Sequence, residues 1–184
     1  MSLSRLLLCT DMDRTLIPNG SQPEHPDARN YFRAFCCRPE VTLVYVTGRH
    51  RALVKQAIQS YDLPEPDFAI TDVGTKIYQI IDGEWLEMDI WGETIAEDWQ
   101  GKSHAQIKQA LSPMTELTQQ EEEKQNTFKL SYYLPLDADK DRVIDWMENR
   151  LSQMGVKASL VWSIDEPENI GLLDVLPLNA TKLH

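Results

Sequence analysis

The sequence predicts an α/β protein in which an inserted α+β module interrupts a Rossmann-like core with a parallel sheet. Apolar runs at residues 5–11, 41–48 and 67–74 alternate with two helix-like segments, the order of a right-handed strand–helix–strand unit. After Gly74 the pattern changes to hairpin and alternating-strand signals, and an apolar run returns at residues 170–182. We therefore predict a core of residues 1–75 and 168–184 and an insert of residues 76–167.

The elements of the predicted core follow from local composition. The first strand, RLLLCTD, leads through a polar loop to the helix DARNYFRAFCCR, whose apolar residues share one face and which Pro39 ends. The second strand, VTLVYVTG, is nearly continuous in β-branched residues, as expected of a parallel strand covered on both faces. A helix from about Arg51 to Tyr61 precedes the third strand, DFAITDVG. Ligand sites in such sheets lie at the carboxyl ends of the strands.

The predicted insert has the pattern of an antiparallel α+β module. Two short runs flank Asp82 and Gly83, a strong signal for a two-residue hairpin. A helix-like stretch that ends near Ser112 and the polar run TQQEEEKQN follow. The run TFKLSYYL then alternates, DADKDRVIDWMENRLSQMG is an amphipathic helix that Gly155 is placed to stop, and VKASLVWS is another alternating strand.

Composition narrows the class of partner. The chain has 184 residues, with 29 acidic against 18 basic side chains and a net charge of −11. That charge argues against nucleic acid or an anionic membrane as the main partner, and no apolar run approaches the roughly 20 residues needed to span a bilayer. Three cysteines without regular spacing suggest reduced thiols. We therefore expect a cytoplasmic protein that acts on a small molecule.

Two carboxylates, Asp11 and Asp13, stand one residue apart where the first strand ends. Packing gives no reason for this pair, because like charges held close together repel each other and lose solvation. Phosphoryl transfer does give a reason. A carboxylate can attack phosphorus as a nucleophile, and a second carboxyl group can protonate the leaving alcohol and then activate water. Mg²⁺ would offset the crowded negative charge.

At these residues the chain resembles the haloacid dehalogenase (HAD) superfamily of phosphatases. Residues 11–15, DMDRT, fit its D-x-D-x-T signature, residues 47–49, TGR, fit the second motif, and Lys182 fits the lysine of the third. The insert between the second and third motifs matches a type-two cap, so the resemblance covers the whole chain. The nearest branch is similar to the sucrose-phosphate phosphatases, through TDVGTKIY, FKLSYYL and DVLPLNATK. The resemblance implies a phosphoric monoester hydrolase with a HAD-like core.

The resemblance also implies a role for each matched residue. Asp11 is the expected nucleophile and Asp13 the expected general acid/base, and the Asp11 carboxylate and the Asp13 backbone carbonyl are the expected Mg²⁺ ligands. Thr47, the Gly48 backbone N–H and Lys182 are expected to bind the phosphate. Three further residues are candidate substrate contacts: Arg49, Lys129 and Ser131. For Lys129 and Ser131 a solvated strand face is the alternative.

Two departures from the family pattern carry expectations of their own. Arg14 stands where relatives often carry glycine or asparagine, a change that bears on the loop beside the nucleophile. The acidic fourth motif, which supplies further metal carboxylates, should follow Lys182, whereas the sequence stops at His184. We therefore expect an incomplete core whose first strand is an exposed edge, which associates through that edge or derives from a longer protein. Little or no phosphatase activity is expected of the 184-residue form.

Sucrose 6-phosphate is the expected substrate, because an insert with polar strand residues suits a hydroxyl-rich leaving group. A mannosyl- or glucosyl-3-phosphoglycerate phosphatase is one alternative, and its substrate carboxylate would require an additional cation such as Lys129. A receiver-type phosphoacceptor domain is a second, although receivers carry the phosphorylated Asp after a later strand and lack a large insert. The third is a catalytically silent phosphatase-like module that serves a longer enzyme as a regulatory or binding domain.

Overall fold

The computed structural model describes residues 5–18 and 24–180, which divide into two compact units between Met88 and Asp89. The first unit contains β1 (Leu6–Thr10), α1 (Ala28–Cys36), β2 (Val41–Val46), α2 (Arg51–Ser60), β3 (Phe68–Thr71), β4 (Lys76–Ile81) and β5 (Glu84–Glu87). The second contains α3 (Asp89–Ala96), α4 (His104–Leu111), β6 (Thr118–Gln119), β7 (Leu130–Leu134), α5 (Lys140–Gln153), β8 (Ala158–Asp165) and β9 (Ile170–Pro177). None of the helices within these described ranges has the length and apolar character needed to cross a membrane.

The first unit has a five-stranded sheet in the order β1-β2-β3-β4-β5. β1, β2 and β3 run parallel, and α1 and α2 are the crossover helices between them. β4 and β5 continue the sheet in the antiparallel direction. The mixed sheet with its crossover helices confirms the predicted α/β fold class and the predicted order of the first three strands.

The core of the first unit is built around β2. Leu43 and Tyr45 of this strand are almost completely buried, together with Val54 and Ala57 on one face of α2. β2 has neighbours on both sides in the sheet and is buried over most of its length. This burial is the physical reason for its continuous apolar composition, because a parallel strand inside such a sheet exposes neither face to water.

The hairpin β4–β5 belongs to the first unit, so the predicted start of the insert at residue 76 is wrong. The turn itself is as predicted, since Asp82 and Gly83 have φ values of 51° and 82°, as a type I′ turn requires. β4 pairs with β3, and Trp85 of β5 is buried in the first core with its ring 5.8 Å from that of Tyr78. A turn signal predicts a hairpin but does not indicate which sheet the hairpin joins.

The second unit has a four-stranded antiparallel sheet in the order β6-β7-β9-β8. The amphipathic stripe predicted for α5 is confirmed, because Val143, Met147 and Leu151 are buried in the same cluster as the apolar residues of β7 and β9. Gly155 follows the helix with a φ of 74°, a left-handed conformation that ends helices.

β9 lies in the second sheet, so the predicted return of the chain to the first core at residue 168 is wrong for this strand. It pairs with β7 on one side and with β8 on the other. Gly171 allows this packing, because a Cβ atom there would lie 1.9 Å from Trp162 Cη2 and 2.7 Å from the Leu134 carbonyl oxygen. An apolar run is typical of a central strand in either kind of sheet. That one part of the chain is a catalytic core and the other a cap stays a prediction.

β1 forms an edge of the first sheet in the described part of the chain. Leu6 and Leu7 on this strand expose 44% and 63% of their surface. An apolar edge of this kind has unpaired backbone groups that can pair with another strand. The association predicted for this edge stays a prediction.

Candidate active site

The carboxyl ends of β1, β2 and β3 lie side by side. β1 is in register with β2 through the pair Thr10 and Tyr45, and β2 with β3 through the pair Val46 and Ile70. Neighbouring strands are about 4.8 Å apart, so the D-x-D and T-G-R motifs, which follow β1 and β2, meet at the same end of the sheet. The parallel topology thus brings two sequence motifs together that lie more than thirty positions apart in the chain.

A tight loop after β1 carries the two carboxylates. The Met12 side chain is fully buried, and its carbonyl accepts hydrogen bonds from the N–H groups of Leu16 at 2.9 Å and Ile17 at 2.8 Å. The Asp11 carboxylate accepts a hydrogen bond from the Met12 N–H at 2.8 Å. The buried methionine anchors the loop and leaves Asp11 half-buried and Asp13 exposed.

Arg14 occupies a left-handed backbone conformation in this loop, with a φ of 61°. Glycine and asparagine adopt that conformation more readily than arginine does, which accounts physically for the residues expected at this position in relatives. The loop still closes, because the Arg14 N–H donates to the Ile17 carbonyl at 2.9 Å. Arg14 therefore preserves the loop at some cost in backbone free energy.

Thr47 is fully buried at the end of β2. Its N–H donates to the Ile70 carbonyl at 2.9 Å, and its Oγ1 accepts a hydrogen bond from the Arg49 N–H at 3.2 Å. Gly48 lies exposed between them, so its neighbours hold the backbone that would offer an N–H to a phosphate. The phosphate-binding roles of Thr47 and Gly48 stay predictions. Lys182, the third predicted phosphate ligand, lies outside the described residues.

Arg49 binds the Asp13 carboxylate. Its Nε atom lies 3.1 Å from Oδ1 and 3.0 Å from Oδ2, and its Nη2 atom lies 2.6 Å from Oδ1. The hydrogen bond to Asp13 raises the pKa of the Arg49 guanidinium above its ordinary value. The pair connects the loop after β1 to the loop after β2. In this structure the predicted substrate contact is therefore a partner of the predicted general acid/base.

A strained turn after β3 is a part of the site that the sequence patterns do not indicate. Asp72, Val73 and Gly74 all have positive φ values, of 53°, 61° and 99°. The Asp72 N–H donates to the Arg49 carbonyl at 2.9 Å, and the Val73 N–H to the Thr47 carbonyl at 3.3 Å. Gly74 is the one sequence signal for such a turn, because glycine adopts positive φ without steric cost. The turn ties the end of β3 to the T-G-R loop.

The predicted Mg²⁺ ligands are few in the described residues. Within residues 5–18 and 24–180 no group of three or more His, Cys, Asp or Glu side chains is placed to hold one metal ion. The Asp11 carboxylate and the Asp13 carbonyl are oxygen donors, which Mg²⁺ prefers, and Mg²⁺ is commonly held by one or two carboxylates with waters and substrate phosphate. The donor set is thus of the right chemical kind but small.

Lys129 and Ser131 are buried, so the alternative of a solvated strand face is wrong. They expose 6% and 0% of their surface. Ser131 Oγ donates to Asp174 Oδ1 at 2.5 Å, while Lys129 Nζ lies 3.8 Å from the same oxygen and 3.0 Å from the Lys124 carbonyl. Asp174 on β9, which the sequence patterns do not mark as functional, is the carboxylate that offsets the Lys129 charge. Substrate contact by Lys129 and Ser131 stays a prediction.

The second unit also contains an open polar cavity of about 640 Å³. Its wall includes His104 and Lys108 from α4 and the amide side chains of Gln120, Gln125 and Asn126. Burial lowers the pKa of His104 from its ordinary value, which favours the neutral ring. The Gln125 amide is already bonded within the protein, because its Nε2 donates to the Gln120 and Ser131 carbonyls and its Oε1 accepts the Ser131 N–H. Glu122 also lines the wall, so the cavity is polar and carries both positive and negative charge.

The chain matches the family model of sucrose-6F-phosphate phosphohydrolases over residues 4–184. It is 50% identical over 180 residues to a Nitrosococcus oceani protein named "Putative HAD-like hydrolase", and the match covers 98% of this chain and 48% of that protein. It is 29% identical to sucrose-phosphatase 1 of Nicotiana tabacum, over 98% of this chain and 40% of that protein. The chain thus spans less than half the length of these two curated relatives.

Solved structures support the fold. The chain superposes with a TM-score of 0.75 and 23% identity on the sucrose-phosphatase from Synechocystis sp. PCC6803, solved with sucrose and phosphate, covering 98% of this chain and 67% of that one. A haloacid dehalogenase-like hydrolase of Bacillus subtilis is similar with a TM-score of 0.59 and 16% identity, over 95% of this chain and 65% of that one. Likeness at these identities establishes a HAD-like α/β fold.

Proposed function

The chain belongs to the sucrose-6F-phosphate phosphohydrolase family, and we propose that it carries the catalytic residues of a phosphatase that hydrolyses sucrose 6-phosphate. One observation carries the proposal within the chain itself. Asp11, the Asp13–Arg49 pair and the buried Thr47 converge at the carboxyl end of a parallel sheet. Ligands bind at that end in open α/β sheets, and a nucleophilic carboxylate, an acid/base and a hydroxyl donor are the groups that phosphate ester hydrolysis requires.

The proposed reaction has two steps that share the same two carboxylates. An oxygen of the Asp11 carboxylate attacks phosphorus and forms an O–P bond as the bond from phosphorus to the sugar oxygen breaks. The departing oxygen takes a proton from Asp13, which leaves the alcohol and an aspartyl-phosphate. Asp13, now a carboxylate, accepts a proton from the water that attacks the phosphorus. That attack releases inorganic phosphate and restores the Asp11 carboxylate.

The phosphate is held by the groups around Gly48. Thr47 Oγ1 accepts the Arg49 N–H, so its own O–H can donate to a phosphate oxygen, beside the Gly48 N–H. Lys182 adds a positive charge in this proposal. The Asp11 carboxylate and the Asp13 backbone carbonyl would hold Mg²⁺, which would supply positive charge to offset the negative charge of the phosphoryl group.

Polar groups of the second unit support a sugar as the leaving group. The cavity whose lining includes His104, Lys108 and Glu122 is polar, which is compatible with a group rich in hydroxyls. A glycosyl-3-phosphoglycerate would instead require an unneutralised cation for its carboxylate. Lys129 is the cation proposed for that role, and Asp174 already lies 3.8 Å from its Nζ atom. This pairing favours the uncharged disaccharide over the carboxylate-bearing rival.

We also propose that the protein is cytoplasmic. The cysteines Cys9, Cys36 and Cys37 are all free thiols, and reduced thiols are typical of the cytosol. The net charge of −11 is consistent with a small-molecule substrate rather than nucleic acid.

A substrate panel tests the proposed function on the longest natural chain that contains these residues. Phosphate release with Mg²⁺ is measured for sucrose 6-phosphate, glucosyl-3-phosphoglycerate, a nucleotide and a phosphoprotein, with a chelator-treated control. We expect the highest kcat/KM for sucrose 6-phosphate and no release after the chelator. A nucleotide or phosphoprotein as the best substrate would contradict the proposal. Absence of release from every compound would favour the silent module.

A further inference from the structure

We propose that Arg49 is a positioning residue that fixes the orientation of the Asp13 carboxylate, rather than a residue that grips the substrate. The inference rests on the proposed function, because it concerns the group that transfers protons in that reaction. It differs from the family resemblance, which implies only that Arg49 lies beside the substrate. The evidence is the contact of the Arg49 side chain and the way its backbone is held.

The guanidinium of Arg49 contacts both oxygens of Asp13. Nε lies 3.1 Å and 3.0 Å from Oδ1 and Oδ2, and Nη2 lies 2.6 Å from Oδ1. Two nitrogens of a planar group restrain rotation of the carboxylate in a way that a single ammonium nitrogen does not. Asp13 lies on an exposed loop with about half of its side chain in solvent, so it needs an external restraint to keep one orientation. Arg49 is that restraint.

The backbone of Arg49 is held on both of its polar groups. Its N–H donates to Thr47 Oγ1 at 3.2 Å, and its carbonyl accepts the Asp72 N–H at 2.9 Å. Thr47 and Asp72 are themselves buried, with 0% and 5% of their surface exposed. The backbone of Arg49 is therefore fixed at the end of the sheet. A side chain can restrain a residue on another loop only if its own backbone is fixed in this way.

The turn after β3, which donates a hydrogen bond to the Arg49 carbonyl, is strained. Val73 has a φ of 61° and a ψ of 26°, a conformation that is a genuine outlier for a β-branched residue. Surrounding hydrogen bonds maintain it, because the Val73 N–H donates to the Thr47 carbonyl and Thr75 Oγ1 donates to the Asp72 carbonyl at 2.9 Å. Such strain persists where the neighbouring structure over-determines the backbone, and it concentrates at functional sites. Here it aligns the backbone that carries Arg49.

The two possible roles of Arg49 make different kinetic predictions. If Arg49 orients the Asp13 carboxylate, its loss impairs the second chemical step, in which that carboxylate accepts a proton from water, while the phosphate is still bound through Thr47 and Gly48. If Arg49 grips the substrate in the ground and transition states alike, its loss raises KM and leaves kcat unchanged. Misplacement of a catalytic group by about 1 Å can reduce the rate roughly a hundredfold. The structure assigns the first of these patterns to Arg49.

The test compares Arg49→Met and Arg49→Lys with the wild type in the longest natural chain, with Mg²⁺ and sucrose 6-phosphate. Arg51→Met is the matched control, because Arg51 begins α2 and stacks on the Tyr78 ring at 5.4 Å. We expect kcat to fall roughly ten- to a hundredfold in Arg49→Met, with KM changed less than about threefold. Arg49→Lys should recover only part of kcat, because an ammonium is a single point of contact and lacks the planar two-nitrogen geometry that restrains the carboxylate. Arg51→Met should match the wild type.

An independent spectroscopic measurement separates a lost restraint from a lost fold. In the wild type the Arg49 Nε–H resonance should be protected from exchange with water, and Asp13→Ala, which leaves no acceptor at this position, should remove that protection while the backbone amide spectrum stays native. An Arg49→Met variant with unchanged kcat, or with only KM raised, in an active enzyme would overturn the positioning role alone. A wild-type chain without turnover on any sugar phosphate would instead overturn the proposed function and, with it, any role of Arg49 in the reaction.

Discussion

Substitution of Gly171 by alanine should strongly destabilise the second unit. A Cβ atom at this position would lie 1.9 Å and 2.5 Å from two ring atoms of Trp162 and 2.7 Å from the Leu134 carbonyl oxygen. The ring can move, but the carbonyl belongs to the neighbouring strand β7 and moves only if the sheet distorts. Overpacking typically costs about 1–3 kcal/mol, and the backbone clash points to the upper end, about 3 kcal/mol.

The loss is measured from the urea dependence of hydrogen exchange in peptides of β7, β8 and β9, which reports on the second unit alone. For a domain of this size a loss of about 3 kcal/mol lowers the unfolding temperature by more than roughly 10 °C. Gly92→Ala in α3 is the control, because its nearest neighbour would be Phe128 Cε2 at an ordinary 3.8 Å. That helix-interior change should stabilise the unit by about 0.5–1 kcal/mol.

A second substitution separates the two parts of the clash. Trp162→Leu should reduce the penalty of Gly171→Ala without removing it, because the ring contact disappears and the Leu134 carbonyl remains. An unchanged urea midpoint in Gly171→Ala would refute the reasoning, since it would mean that β9 does not pack beneath Trp162 and that its place in the second sheet is wrong.

Two further predictions concern the backbone and pH. Arg14→Gly should raise the free energy of unfolding of the first unit by up to about 1 kcal/mol, because glycine relieves the left-handed strain at φ 61°, whereas Thr15→Gly should lower it. Burial lowers the pKa of His104. Below pH 6.5, the ordinary pKa of this side chain, the ring therefore takes up a proton more readily in the unfolded chain than in the folded chain. The free energy of unfolding of the second unit should therefore decrease as the pH is lowered below about 6.5. His104→Asn should flatten the change in urea midpoint between about pH 7.5 and about pH 5.

The sequence predicts the first three strands and the motifs at their ends because these signals are local. A β-branched run, a crossover helix and a D-x-D at a strand end are all short patterns, and parallel topology then brings the strand ends together. The residues Asp11, Asp13 and Thr47 are placed in this way. Their roles stay predictions: the type and spacing of the two carboxylates suggest phosphoryl transfer, and the phosphate contact of Thr47 is what the family resemblance implies.

The partners of β4, β5 and β9 were not predictable from the same kind of signal. Both sheets offer apolar faces, so alternation and apolar runs fit either of them, and the choice depends on long-range packing such as Trp85 on Tyr78 or Trp162 over Gly171. The Arg49–Asp13 pair also has no local signature, because it joins two loops that only the folded sheet brings together. The residue type of Val73 predicts against the turn in which it lies, because a positive φ is unfavourable for valine.

The most direct test of the proposed phosphatase is the site of the covalent phosphate. The longest natural chain is mixed with sucrose 6-phosphate and Mg²⁺ as wild type, Asp11→Asn and Asp13→Asn, quenched in acid, and its peptides are analysed by mass spectrometry. We expect Asp13→Asn to accumulate one phosphate on the peptide that carries Asp11, because the second step lacks its base. Asp11→Asn should show neither phosphorylation nor turnover while keeping a native fold. Normal turnover by Asp11→Asn, or a phosphate trapped on a different residue, would contradict the account.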